Sequence, residues 1–242
     1  MARSGGEAGT ESGYGEFYRF VMATVLVTGA NRGIGLEYCR QLAARGDHVI
    51  AVCRKAGREL DSLGVQIEAG IELTDASAID ELISRLNHQS LDGVILNAGI
   101  LHFNGLHDLD VEAIRQQFEV NALAPLRLAS VLTPNLSRGS WIALTTSRMG
   151  SIADNTSGGS YGYRMSKAAL NIAGKSLAID LKPKGIAVAI LHPGLVATRM
   201  INFNPNGTSP QQSVEGLLQR IDALTLETSG SFWHANGDAL PW

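Results

Sequence analysis

The stretch "TVLVTGANRGIGLEYCRQLAARG", residues 24–46, decides the fold. The strand-like run 24–29 closes on Gly29, two further glycines follow at Gly33 and Gly35, and a helix-forming segment begins at once. Glycine allows a tight turn, and it lets an anion approach the N–H groups of a helix N-terminus, where the dipole favours negative charge. A glycine triplet set between a strand and a helix is the context that a dinucleotide fingerprint requires. A merely structural turn is the plainer alternative.

Working outward, short β-rich runs alternate with longer helical patterns. Strands are predicted at 24–29, 48–54, within 65–73, and at 91–99, 140–147, 185–194 and 230–237. Helices are predicted at 35–46, 76–88, 110–133, 160–181 and 211–226. Such alternation signals βαβ units, and right-handed crossovers turn them into a doubly wound Rossmann fold. The expected architecture is α/β in three layers, a mainly parallel seven-stranded sheet with helices on both faces. Residues 22–242 read as a single domain. Residues 1–21, rich in Gly, Ser and Glu, read as a flexible leader.

Composition narrows the function. The chain has 242 residues, 45% of them apolar, and a formal net charge of −3 without a dense Lys/Arg cluster. That argues against a nucleic-acid or anionic-membrane surface. No apolar run is long enough to span a bilayer. The two cysteines, Cys39 and Cys53, form no CxxC, which fits a reducing cytoplasm, and the scattered His residues give little support to a metal site.

The second informative stretch is "YGYRMSKAALN", 161–171. Tyr163 and Lys167 are four residues apart and share a helical face, whereas Tyr161 points elsewhere. A phenol with a pKa of about 10 is a sluggish acid at neutral pH, and a neighbouring ammonium lowers that value. The pair therefore reads as a tuned proton donor; a snorkelling lysine on an ordinary amphipathic helix is the alternative.

The glycine turn has the form TGxxxGxG, "NAG" follows at Asn97, Ala98 and Gly99, and YxxxK comes later in the expected order. With these motifs the chain resembles the classical short-chain dehydrogenase/reductases from Met22 to its end. "TSRMGSI", "GGSYGYRMSKAALN" and "GDALPW" look like the C-factor and sniffer-type carbonyl reductase branch. The resemblance implies that Tyr163 is the general acid/base, that Lys167 also holds the nicotinamide ribose, and that Ser147 orients the carbonyl, with Ser151 as its competitor. It implies cofactor contacts from Gly29, Asn31, Arg32, Gly33, Ile34 and Gly35, from Glu72 and Leu73 near the adenine, from the NAG segment, and from Pro193, Gly194, Val196 and Thr198 near the carboxamide.

Charge suggests which dinucleotide. The end of the second strand carries Cys53-Arg54 where an NAD site places a carboxylate. Arg54 and Arg32 are suited to forking a 2′-phosphate, so NADP(H) is expected and NAD(H) remains possible. Asn121 rests on a separate argument. Pro125 cannot donate the N–H that would bond the Asn121 carbonyl, so the helix should kink there, and the resemblance gives that Asn a proton-relay water.

Two functional classes remain open. The first is an NADPH-dependent oxidoreductase acting on a small, fairly apolar carbonyl or alcohol, its pocket covered by a short, mobile lid between Thr198 and Gln212. The second is a dinucleotide-binding signalling or sensor protein of C-factor type. The four candidate catalytic residues favour the enzyme, since binding alone needs no tuned Tyr. An extended sugar-nucleotide epimerase fits less well. Apolar faces of the 110–133 and 160–181 helices suggest a homodimer.

Overall fold

The computed structural model describes residues 22–242; the leader expected at 1–21 lies outside the described residues. Seven strands form one sheet in the order β3-β2-β1-β4-β5-β6-β7. They are β1 (Thr24–Thr28), β2 (His48–Cys53), β3 (Gln66–Ala69), β4 (Leu91–Leu96), β5 (Leu136–Thr145), β6 (Ala187–His192) and β7 (Phe232–His234). Every ladder between neighbours is parallel.

Side chains alternate across a strand, so a sheet covered on both faces needs apolar residues at every position. β1 shows this directly. Leu26 packs into one core with Ile50, Val94 and Leu144, while Val25 and Val27 pack into the other with Val49, Ile95 and Leu191. Helices α1 (Gly33–Ala44) and α7 (Pro210–Asp222) cover the Val25 face; α3 (Ala76–Leu86), α5 (Ala124–Leu132) and α6 (Tyr161–Leu181) cover the other. The three-layer doubly wound fold expected from the sequence is the fold observed.

Boundaries differ in instructive places. A one-turn helix, α2 (Arg58–Asp61), sits in the connection after β2, too short to leave a period in the sequence. β5 starts four residues ahead of its expected position, across a register shift where the Trp141 ring lies over Gly93; a Cβ there would meet the indole at 2.2 Å. The helix expected at 110–133 is three pieces: α4 (Val111–Phe118), a π-helical turn at Glu119–Leu123, and α5. Pro125 has no N–H for the Asn121 carbonyl, so the chain widens, and the Ala124 N–H bonds the Glu119 carbonyl five residues back.

Strand order reverses between β1 and β4, the position at which open α/β sheets bind ligands beyond their carboxyl ends. A Cβ on Gly29 would come within 3.0 Å of the Ala98 backbone, so the loops after β1 and β4 touch at this switch point.

Candidate active site

The glycine turn is built from backbone constraint. Gly29 has φ +66 and Gly33 φ +56, a region that L side chains rarely adopt. Gly35 is closed for a different reason: its Cβ would lie 2.2 Å from the Gly29 carbonyl oxygen. The Thr28 hydroxyl accepts from the Asn97 and Ala98 N–H groups, and Asn97 Nδ2 donates to the Thr28 carbonyl at 3.1 Å. Asn31 Nδ2 donates to the Lys55 carbonyl at 3.0 Å, tying the turn to the segment that carries Arg54. The result is a glycine-lined turn at the N-terminus of α1, bordered by the Thr198 side chain, with Arg32 and Arg54 both exposed. Its donor chemistry fits a dinucleotide pyrophosphate. Arg54 is 3.3 Å from the Glu72 carboxylate, which also accepts from Thr74, while Leu73 is buried in the core.

Beyond β5 and β6 the chain forms a cavity of about 440 Å³ lined by Ser147, Tyr163, His192, Gly194, Val196 and Thr198, among others. Ser147 follows the end of β5, and its Oγ accepts from the Met149 N–H. Ser151, the competitor, accepts from the Asp154 N–H inside the turn and is not part of this lining. Pro193 lies at the same edge, its carbonyl accepting from Ser213. Ile34, at the start of α1, joins the cavity lining from the glycine turn.

Behind the cavity wall lies a polar floor. Lys167 is buried at 3% exposure, and its Nζ donates to the Thr145 carbonyl at 2.9 Å and stands 5.9 Å from the Tyr163 ring centre. Asn121 Oδ1 accepts from the Ile100 N–H, while its Nδ2 donates to the Ile100 carbonyl and to Ser166 Oγ. Ser166 in turn donates to the Tyr163 carbonyl. A Cβ on Gly99 would touch Asn121 Oδ1 at 3.2 Å and Lys167 Nζ at 3.6 Å. The structure thus brings Asn121, Ser147, Tyr163, Lys167 and the NAG segment together, and leaves Tyr161 exposed.

Electrostatics correct one expectation. Burial pushes the Tyr163 phenol above its ordinary value, and the Ser147 hydroxyl pulls it back only in part. Burial also lowers Lys167, to about 8. The ammonium points at a backbone carbonyl within an enclosed site, so in the protein alone desolvation outweighs any acidifying effect of the lysine.

Sequence reasoning missed Thr28, Thr145 and Ser166, which hold the others in place. The one local sign of Thr28 is its position before Gly29. Also missed is a charged rim made by Arg148, Asp154 and Arg164, whose only signal is proximity to Ser147 and Tyr163 in the chain.

A model of the short chain dehydrogenase family matches residues 23–207. This chain belongs to that family. Over 226 residues it is 42% identical to 1-hydroxy-2-glutathionyl-2-methyl-3-butene dehydrogenase of Rhodococcus sp. (strain AD45), covering 91% of this chain and 100% of the relative. It is 46% identical over 156 residues to C-signal of Myxococcus xanthus, covering 63% and 93% respectively. NADPH-bound carbonyl reductase from chicken fatty liver has the same fold, with a TM-score of 0.81 at 30% identity over 91% of this chain and 99% of that one. The short-chain dehydrogenase is therefore an oxidoreductase of the C-factor and carbonyl-reductase branch. Among its described residues no helix is long and apolar enough to cross a membrane.

Proposed function

We propose that this dehydrogenase is an NADPH-dependent oxidoreductase that interconverts a small carbonyl compound and its alcohol, with Tyr163 as general acid/base. The observation that carries the reading is the convergence of Ser147 and Tyr163 on one cavity wall with Lys167 directly behind them. Gly29, Asn31, Gly33, Ile34 and Gly35 would cradle the pyrophosphate, Arg32 and Arg54 the 2′-phosphate, and Glu72 and Leu73 would border the adenine. Asn97, Ala98 and Gly99 would let the cofactor pass closely, and Pro193, Gly194, Val196 and Thr198 would meet the carboxamide. Bound NADPH supplies the hydride.

The chain's own residues manage the proton. Ser147 donates to the carbonyl oxygen and fixes its direction. Tyr163, held protonated by burial, gives its proton to that oxygen as negative charge develops there, and takes it back in alcohol oxidation. Lys167 then stabilises the phenolate and holds ribose hydroxyls. The Asn121 carbonyl, freed at the π turn, holds a water that links Lys167 to solvent. Parallel titration with NADPH and NADH, followed by a carbonyl panel, tests the reading. Tyr163→Phe should keep NADPH binding and lose turnover; undiminished turnover would overturn it.

The Rhodococcus relative's name describes a terminal hydroxyl, on C1 beside a glutathionyl-bearing carbon, which supports a primary alcohol or aldehyde as the reacting group here. The C-signal match favours a second reading, a dinucleotide-binding signalling protein with little turnover. NADPH binding without consumption across the panel would select it. A homodimer is supported by Met165, Ile172 and Ile179, exposed at seven-residue intervals along α6, with Leu123 and Leu126 exposed nearby; light scattering would check it. The free buried thiols of Cys39 and Cys53 accord with a cytoplasmic location.

A further inference from the structure

The cavity lining mixes two kinds of residue: apolar Leu101, Met149, Met200 and Ile201, and the charged Arg148, Asp154 and Arg164. Arg148 Nε and Nη2 both reach the Asp154 carboxylate. The Arg148 guanidinium, and more weakly the charge of Arg164, hold the Asp154 carboxyl below the usual range; Asp238 also acts on Arg148. His192, on the same wall, is pushed down to about 3 by burial and is neutral at physiological pH.

Arg164 shares the field of that carboxylate but forms no ion pair with it. It is half-buried, and its hydrogen bonds all go to neutral oxygens: Nε to the carbonyls of Gly158 and Gly159, Nη1 to that of Met149 at 3.5 Å, and Nη2 to Ser157 Oγ at 2.8 Å. Among the described residues no carboxylate lies within ion-pair distance of it. A guanidinium has five N–H donors. Three nitrogens with one bonded proton each leave two donors free, and partly buried charges call for a counter-ion. Arg164 follows Tyr163 on α6, so this positive charge stands a rotation of about 100° from the proposed proton donor and faces the same cavity.

Resting on the oxidoreductase reading above, we infer that the substrate carries an anionic group, a carboxylate in the simplest case, which docks on Arg164 while its carbonyl or carbinol carbon lies at Ser147 and Tyr163. The apolar lining residues take the chain between the two groups. This replaces the small, fairly apolar substrate expected from the sequence with an amphiphilic one. A carboxylate suits the site because the guanidinium fork matches its two oxygens.

A series of ω-oxo acids of increasing chain length, each paired with its methyl ester, tests the inference. With NADPH, kcat/KM for the acid should exceed that for its ester by tenfold or more at the best length, chiefly through KM. The acids, not the esters, should also raise the thermal midpoint of the protein. Arg164→Met should bring the acid-to-ester ratio to about one, and Arg164→Lys should keep part of it, since charge survives without the fork. An unchanged ratio in Arg164→Met, or esters preferred in the wild type, would overturn the anion site. Midpoint shifts by the acids without NADPH consumption would keep the anion site and remove the oxidoreductase reading. Equal turnover of acids and esters would do the reverse.

Discussion

The floor of the cleft and its rim are built on opposite principles. On the floor, Lys167, Asn121 and Ser166 are at most 3% exposed, and hydrogen bonds tie them to backbone groups of Ile100, Thr145 and Tyr163. On the rim, the Arg148 side chain is 56% exposed and pairs with an Asp154 side chain at 22%. A buried polar group is costly unless each partner is in place, so the floor accepts almost no substitution. An exposed ion pair is worth about 0–1 kcal/mol, so the rim can change without threatening the fold. On the proposed reading, the floor serves the chemistry and the rim the choice of substrate.

The largest effect should come from the wall between them. Tyr163→Phe removes one oxygen and no packing, and it should lower kcat by about 10²–10⁴-fold while NADPH affinity persists. Single-turnover kinetics would check it. A loss of cofactor affinity on the same scale would mean that Tyr163 belongs to the floor's architecture, not to its chemistry.

The floor itself can be read from the pH dependence of stability. Lys167 has a folded value of about 8 against an ordinary value of 10.5, so the fold prefers its neutral form. Below pH 8 the lysine is charged in both states and its burial opposes folding. Between about pH 8 and 10.5 the unfolded chain binds more protons, and stability rises with pH. The wild type should therefore gain about 3 kcal/mol across that window relative to Lys167→Met. Cys39 and Tyr163, both pushed up by burial, work in the opposite direction, but they are present in both proteins and cancel in the difference. Parallel unfolding curves for the two proteins would show that the buried lysine carries no penalty.

What was legible in the sequence follows the same division. Features set by backbone sterics left a spacing: Gly29, Gly33 and Gly35 in the first turn, Pro125 opposite the Asn121 carbonyl, and the four-residue step from Tyr163 to Lys167. Features set by tertiary neighbours left none. Nothing local says that Thr145 offers its carbonyl to Lys167, that Asn121 clamps Ile100, or that Arg164 forms no ion pair among the described residues. The raised Tyr163 phenol shows the limit most clearly, because i,i+4 spacing places a cation near it but carries no information about burial. Asn121 is half legible. The kink follows from Pro125, but its form, a π turn, depends on α4 and α5 both packing onto the fold.

The cofactor end offers a smaller test of the rim principle. Arg54 is exposed, yet it is the guanidinium placed where β2 ends. Arg54→Ala should weaken NADPH relative to NADH by about 10–100-fold, the range expected for hydrogen bonds to a charged phosphate. Fluorescence titration with both cofactors measures the ratio. A ratio that does not move would assign the preference to Arg32 alone.

The smallest effect should come from Glu72. Its carboxylate stands 3.3 Å from Arg54, whose side chain is largely in solvent, while that of Glu72 is partly so. If the pair is only a resting contact, it competes with the 2′-phosphate for the same guanidinium. Glu72→Gln should then tighten NADPH about two- to fivefold, the equivalent of an exposed ion pair, and the gain should fade as salt is raised. NADH, which lacks that phosphate, should not share the gain. The opposite result is equally informative. If Glu72→Gln weakened both cofactors alike, Glu72 would be a direct contact of the adenosine half, and its pairing with Arg54 would orient it for that contact. The rim at the cofactor end would then tolerate substitution no better than the floor beneath Tyr163.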